Sequence, residues 1–177
     1  MIKLFDPFIS KEEAKATTKV IQSKFWASGS GTNNVKKFED SFLKYTKSKN
    51  CIAVNSGTAA LNLALSLINI KNFDVIVPSL TFVSTVNAIK FNHGNPVFVD
   101  IDPETYNMSP AKLESKLIQA KEKGQLPKIV IPVHFCGQSC DMEAIYELSK
   151  KYGFFVIEDA SHAIGGKYQD KPIGNCQ

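Results

Sequence analysis

From Cys51 onward the chain alternates brief apolar runs with stretches whose apolar residues recur every three or four positions. The runs near 51–55, 74–77, 97–100, 128–133 and 154–158 are short, rich in Val, Ile and Phe, and bounded by turn residues, which predicts buried strands. Between them, 59–70, 83–91, 110–123 and 141–152 carry helical spacing. Strands that alternate with helices call for crossover connections, so the expected architecture is α/β, a mostly parallel sheet with helices on both faces.

The first fifty residues stand outside this alternation. Ser10-Lys11-Glu12-Glu13 has the spacing of a capping box and predicts a helix reaching about Lys24. A Gly/Ser loop over 27–32 follows, and then a second helical pattern from Val35 to Thr46 that should lay one face on the main body. We therefore divide the chain into lead-in helices and loop over 1–50 and a larger α/β unit over 51–177.

Composition narrows the class. A hydrophobic content of 44% suits a globular protein, and the formal charge of +4 arises from 21 basic against 17 acidic residues. Every basic residue is Lys, so the bidentate forks with which Arg holds phosphates and carboxylates are missing from this stretch. The lysines are spread over solvated helix faces without interleaved aromatics, which argues against a nucleic-acid surface. No apolar run approaches the roughly 20 residues that span a bilayer, and the amino terminus has no signal pattern, so the expectation is a cytoplasmic protein without a membrane partner. Cys51, Cys136, Cys140 and Cys176 form no disulfide framework. His134, Cys136 and Cys140 lack the fourth ligand and the spacing of a zinc site, so no metal is expected.

Two places carry candidate chemistry. The run ending at Asn55 enters Ser56-Gly57-Thr58 and then a helical pattern; a small-residue turn opening a helix offers backbone N–H groups and a positive dipole end to a phosphate. The last predicted strand delivers Glu158-Asp159 into Ala160-Ser161-His162-Ala163, at the sheet edge where α/β proteins bind ligands. One anion site and one acidic site suit a phosphorylated, cationic cofactor. Each piece also has a plainer reading: Ser56 or Thr58 as a helix cap, Phe82 as core, Asp159 or Ser161 as a cap, His162 as a packing residue. Neither a Gly-x-Gly-x-x-Gly turn, nor a Walker loop, nor a Gly-x-Ser-x-Gly elbow is present.

Taken in order, Asn55-Ser56-Gly57-Thr58-Ala59-Ala60-Leu61, Val77-Pro78-Ser79-Leu80-Thr81-Phe82-Val83-Ser84-Thr85, Pro96-Val97-Phe98-Val99-Asp100-Ile101-Asp102 and Ile157-Glu158-Asp159-Ala160-Ser161-His162-Ala163 resemble the sugar-nucleotide aminotransferases of the DegT/DnrJ/EryC1/StrS family. The resemblance implies an aspartate-aminotransferase-like large domain of pyridoxal-phosphate (PLP) fold type I. It implies that Ser56, Gly57 and Thr58 hold the phosphate of pyridoxal 5'-phosphate, that Phe82 stacks on its ring and that Asp159 pairs with the ring nitrogen. His162 matches the position that approaches the ring hydroxyl. Family membership further implies glutamate and a nucleotide-linked keto sugar as substrates, and a homodimer. Segments 132–142 and 165–176 look like the versions found in the pseudaminic acid branch, which acts on a UDP-linked 4-keto-6-deoxy-N-acetylhexosamine.

In that family the Schiff-base Lys, the last sheet strands and a small C-terminal domain fall beyond the position of Gln177. The resemblance thus makes this the front part of a longer protein, an incomplete large domain in which no catalytic Lys is assigned and which is not expected to turn over by itself. Three alternatives stay open: a dehydratase of the same family, in which His replaces that Lys, a catalytically dead homologue serving as a partner or regulatory subunit, and generic α/β nucleotide binding without PLP.

Overall fold

The computed structural model describes residues 7–26 and 34–174. Its centre is a parallel sheet in the order β2-β1-β3-β4, built from β1 (Asp74–Pro78), β2 (Asn95–Val99), β3 (Ile129–Val130) and β4 (Phe155–Val156). The connecting helices are α4 (Val83–Phe91), α5 (Pro110–Glu122) and α6 (Met142–Tyr152), with α3 (Gly57–Ser66) preceding β1. A small antiparallel hairpin, β5 (Lys167–Tyr168) and β6 (Lys171–Pro172), closes the described chain.

Both sheet faces are covered, and β1 shows how. Val75 and Val77 point to one side and join Leu61 and Leu65 of α3, Ala88 and Ile89 of α4, and Ile129 and Ile131. Ile76 points to the other and meets Val130, Leu113 and Leu117 of α5, and Met142, Ile145 and Leu148 of α6. The period-2 alternation of a strand thus feeds two apolar layers, which is why β1 is apolar from Val75 onward.

The strands over 128–133 and 154–158 are shorter in regular structure than the sequence suggests. Extended pairing nevertheless continues: Ile131 N–H donates to Ile76 O at 2.8 Å, Ile157 N–H to Val130 O at 3.1 Å, Asp159 N–H to Pro132 O at 2.9 Å and His134 N–H to Asp159 O at 3.1 Å. Pro132 has no N–H to return to β4, so the ladder breaks there and resumes as the bridge between Val133 and Asp159.

The expected strand at 51–55 does not form. Ala53 N–H donates instead to the Glu39 carboxylate at 2.9 Å, and Ile52 and Val54 are exposed. An apolar run becomes a strand only where a neighbour completes its ladder, and none of the described strands lies beside it.

Helix α1 (Lys11–Ser23) begins with the predicted capping box, Ser10 accepting from Glu12 N–H and Glu13 receiving the Ser10 N–H, and Lys24 ends it in a left-handed cap. It buries none of its residues. Helix α2 (Asn34–Thr46) packs shallowly, with Thr46 as its buried residue. The Gly/Ser loop over 27–32 lies outside the described residues, as does Cys176. Helix α3 begins at Gly57 rather than 59, because Ser56 caps it, and stops at Ser66, leaving Ile70 buried in the turn toward β1.

Candidate functional site at the carboxyl edge of the sheet

Strand β1 has β2 on one side and β3 on the other, so the strand order reverses at β1. In open α/β sheets the crevice outside the carboxyl ends at such a reversal is where ligands bind. The loops leaving β1 and β4 carry Phe82 and Asp159 to this edge.

Asp159 is 6% exposed, and both its carboxylate oxygens are engaged. Oδ2 accepts from Thr85 Oγ1 at 2.8 Å; Oδ1 accepts from Ser161 Oγ at 2.7 Å and from Ser161 N–H at 3.3 Å. Its backbone is fixed on both sides by the pairing with Pro132 and His134. No helix follows, so Asp159 and Ser161 are not helix caps; the side chain of one orients the other.

At the amino end of α3, Ser56 Oγ accepts from Ala59 N–H at 3.2 Å, and Ser56 O accepts from Ala60 N–H at 3.0 Å. The cap reading of Ser56 therefore holds. It leaves the N–H groups of Gly57 and Thr58 ahead of the first intrahelical bond, directed out of the helix end. A Cβ on Gly57 would stand 2.9 Å from Ser161 Oγ, so this helix end and the Asp159 turn are in direct apposition.

Phe82 is 72% exposed at the start of α4, which overturns the reading of it as a core residue. His162 is exposed too, so its ring is not a packing element. Its carbonyl lies against Gly137, which has a φ of +86° and whose added Cβ would stand 2.9 Å from His162 O. That approach, with the left-handed backbone, accounts for glycine at 137.

Glu158, the neighbour of Asp159, serves the opposite side of the strand. Its Oε2 lies 2.9 Å from His134 Nε2, and its Oε1 accepts from Tyr146 Oη at 2.8 Å. His134 is fully buried and its Nδ1 accepts from Cys140 N–H at 3.1 Å, so the ring proton sits on Nε2 and is donated to Glu158. Burial pushes the Cys140 thiol up to about 12. These contacts tie the segments after β3 and β4 to α6; among the described residues no group of three or more His, Cys, Asp or Glu is placed to hold a metal.

The structure thus brings Gly57 and Asp159 together through Ser161, and Phe82 and Asp159 through Thr85. Sequence reasoning missed Thr85 and treated Ser161 only as a cap. The available signal for Thr85 was its position four residues after Thr81 at the sheet end of a helix.

A parallel sheet with apolar layers on both faces and a strand order that reverses at β1 is that of a doubly wound α/β protein. The chain belongs to the DegT/DnrJ/EryC1/StrS aminotransferase family, whose sequence pattern matches residues 7–177. It is 42% identical over 170 residues to the spore coat polysaccharide biosynthesis protein SpsC of Bacillus subtilis, covering 96% of this chain and 41% of SpsC. It is 38% identical to the GDP-perosamine synthase of Escherichia coli O157:H7, covering 98% of this chain and 46% of that protein. Among solved structures, Spr1654 from Streptococcus pneumoniae in its PLP form superposes with a TM-score of 0.85 at 27% identity, over 98% of this chain and 45% of that one. PseC of Helicobacter pylori, an aminotransferase involved in the biosynthesis of pseudoaminic acid, matches with a TM-score of 0.82 at 27% identity, over 94% of this chain and 43% of its own. The fold is accordingly that of fold type I PLP enzymes. The chain spans about two fifths of the length of the curated relatives it matches, 41% in the case of SpsC.

Proposed function

We propose that this chain is the cofactor-binding part of a PLP-dependent aminotransferase that moves an amino group from glutamate to a nucleotide-linked keto sugar. The observation that carries this reading is the Asp159 carboxylate, buried, oriented by three donors and set beside the open end of α3. An ionised carboxylate offers about four acceptor sites, so roughly one remains for a further donor.

The donor set fits a phosphorylated pyridine. The N–H groups of Gly57 and Thr58, with the hydroxyls of Ser56 and Thr58, meet the phosphate at the positive end of a helix dipole. Phe82, exposed at the start of α4, is the residue proposed to offer its face to the ring. Asp159 accepts the ring N–H and keeps that proton in place, and His162 approaches the ring hydroxyl. Bound there, PLP supplies the electron sink on which transamination depends. The unit over 51–177 holds these residues, and 1–50 forms its lead-in.

For the sugar, the versions of 132–142 and 165–176 resemble the pseudaminic acid branch, the pathway in which PseC takes part, and we propose the UDP-linked 4-keto-6-deoxy-N-acetylhexosamine of that branch as the substrate. The family resemblance implies a homodimer, which we include in this proposal together with a cytoplasmic location. The test is an assay of the whole protein with PLP, glutamate and that UDP-linked 4-keto sugar. Formation of the 4-amino sugar and 2-oxoglutarate is expected. Turnover with a GDP-linked 4-keto sugar instead would reassign the substrate, and loss of a hydroxyl without amino transfer would make the protein a dehydratase.

A further inference from the structure

Thr85 spends its hydroxyl proton unusually for this chain. Thr17, Thr18, Thr46 and Ser115 each donate to the carbonyl four residues earlier in their own helix, the common resting place of a hydroxyl on a helix. Thr85, with no exposure to solvent, donates instead to Asp159 Oδ2 at 2.8 Å, a residue 74 positions away. A carboxylate can only accept, so the direction of that bond is fixed. Its single proton being used, Thr85 Oγ1 must accept from Thr81 Oγ1, which lies at 2.8 Å. The result is an ordered chain, Thr81 to Thr85 to Asp159, running inward from the loop that also presents Phe82.

We propose that Thr85 is a positioning residue for the cofactor site, fixing the rotamer of Asp159 so that its remaining acceptor site is aimed at the ring nitrogen, with Thr81 orienting Thr85 in turn. This rests on the proposed PLP reading and deepens it. Ser161 holds Oδ1 from the exposed side; Thr85 holds Oδ2 from the buried side, where no water competes. Without Thr85 the carboxylate can swing about its single bond while Ser161 still holds one oxygen.

The test is calorimetric titration of the whole protein with pyridoxamine 5'-phosphate and with its analogue in which carbon replaces the ring nitrogen. Thr85→Val preserves shape and removes the hydroxyl; Thr85→Ser restores it. Thr85→Val should weaken pyridoxamine phosphate binding roughly tenfold, leave the carbon analogue unchanged, and be rescued by Thr85→Ser. A merely structural residue would weaken both ligands alike, and that result, or no weakening of either, overturns the proposal. If Thr85→Val does not fold, Thr81→Val replaces it, with a smaller loss expected for the nitrogen-bearing ligand alone. Failure of the unaltered protein to bind pyridoxamine phosphate, or binding undiminished by Asp159→Asn, would defeat the PLP reading itself and the proposal with it.

Discussion

Gly57 and Ser161, more than a hundred positions apart in sequence, meet so closely that a Cβ on the first would stand 2.9 Å from Oγ of the second. That Oγ is tied to Asp159 Oδ1 at 2.7 Å, so it cannot retreat without releasing the carboxylate. Gly57→Ala should therefore weaken PLP binding roughly tenfold, by losing a hydrogen bond to a charged group, while the protein stays folded. Ser161→Gly removes the same bond outright, so titration should show the double variant binding no worse than either single variant, the two losses failing to add. Fully additive losses would mean that Gly57→Ala acts on the site by some route other than Ser161.

Phe82→Ala should leave unfolding almost unchanged, because the ring is 72% exposed and buries little apolar surface. Cofactor affinity should fall by about 1 kcal/mol through lost stacking. Urea denaturation checks the first effect and titration with PLP the second. A variant that unfolds readily yet binds PLP normally would return Phe82 to a structural role.

Glu158→Ala should destabilise the fold without requiring the cofactor. It leaves the N–H of fully buried His134 and the hydroxyl of Tyr146 without this acceptor. A loss of about 1–3 kcal/mol is expected from urea unfolding of the ligand-free protein. Unchanged stability would show that neither group depends on Glu158.

Alkaline stability should carry a signature of Cys140. Burial raises its thiol from 9.0 to about 12. Between those values the unfolded chain has released a proton that the folded chain keeps, so this contribution is complete below 9.0 and is lost as the pH rises through the window. Denaturation midpoints should accordingly fall less steeply above pH 9 in Cys140→Ala than in the unaltered protein. Parallel slopes would contradict the buried thiol.

Much of this fold was legible in the sequence because the packing is written in simple periods. The apolar run at 74–77 as a buried strand, the capping box at Ser10 and the helical spacing over 83–91 and 110–123 all carried through. The run at 51–55 misled for a physical reason: hydrophobicity marks a segment able to join a sheet, whereas joining depends on a neighbour the pattern does not name. In the site, Asp159 was legible from its place at a strand end. Its partners were not, since the bond from Thr85 spans 74 positions and depends on which face of α4 meets the sheet. The exposure of Phe82 was equally invisible, because an aromatic residue at a strand-to-helix turn suits a core and a ligand alike.

The most direct measurement is a crystal structure of the whole protein grown with PLP. The ring nitrogen should lie within hydrogen-bond distance of Asp159, the phosphate at the N–H groups of Gly57 and Thr58, and the ring against Phe82. A ring nitrogen facing away from Asp159, or a phosphate held away from the start of α3, would contradict the account.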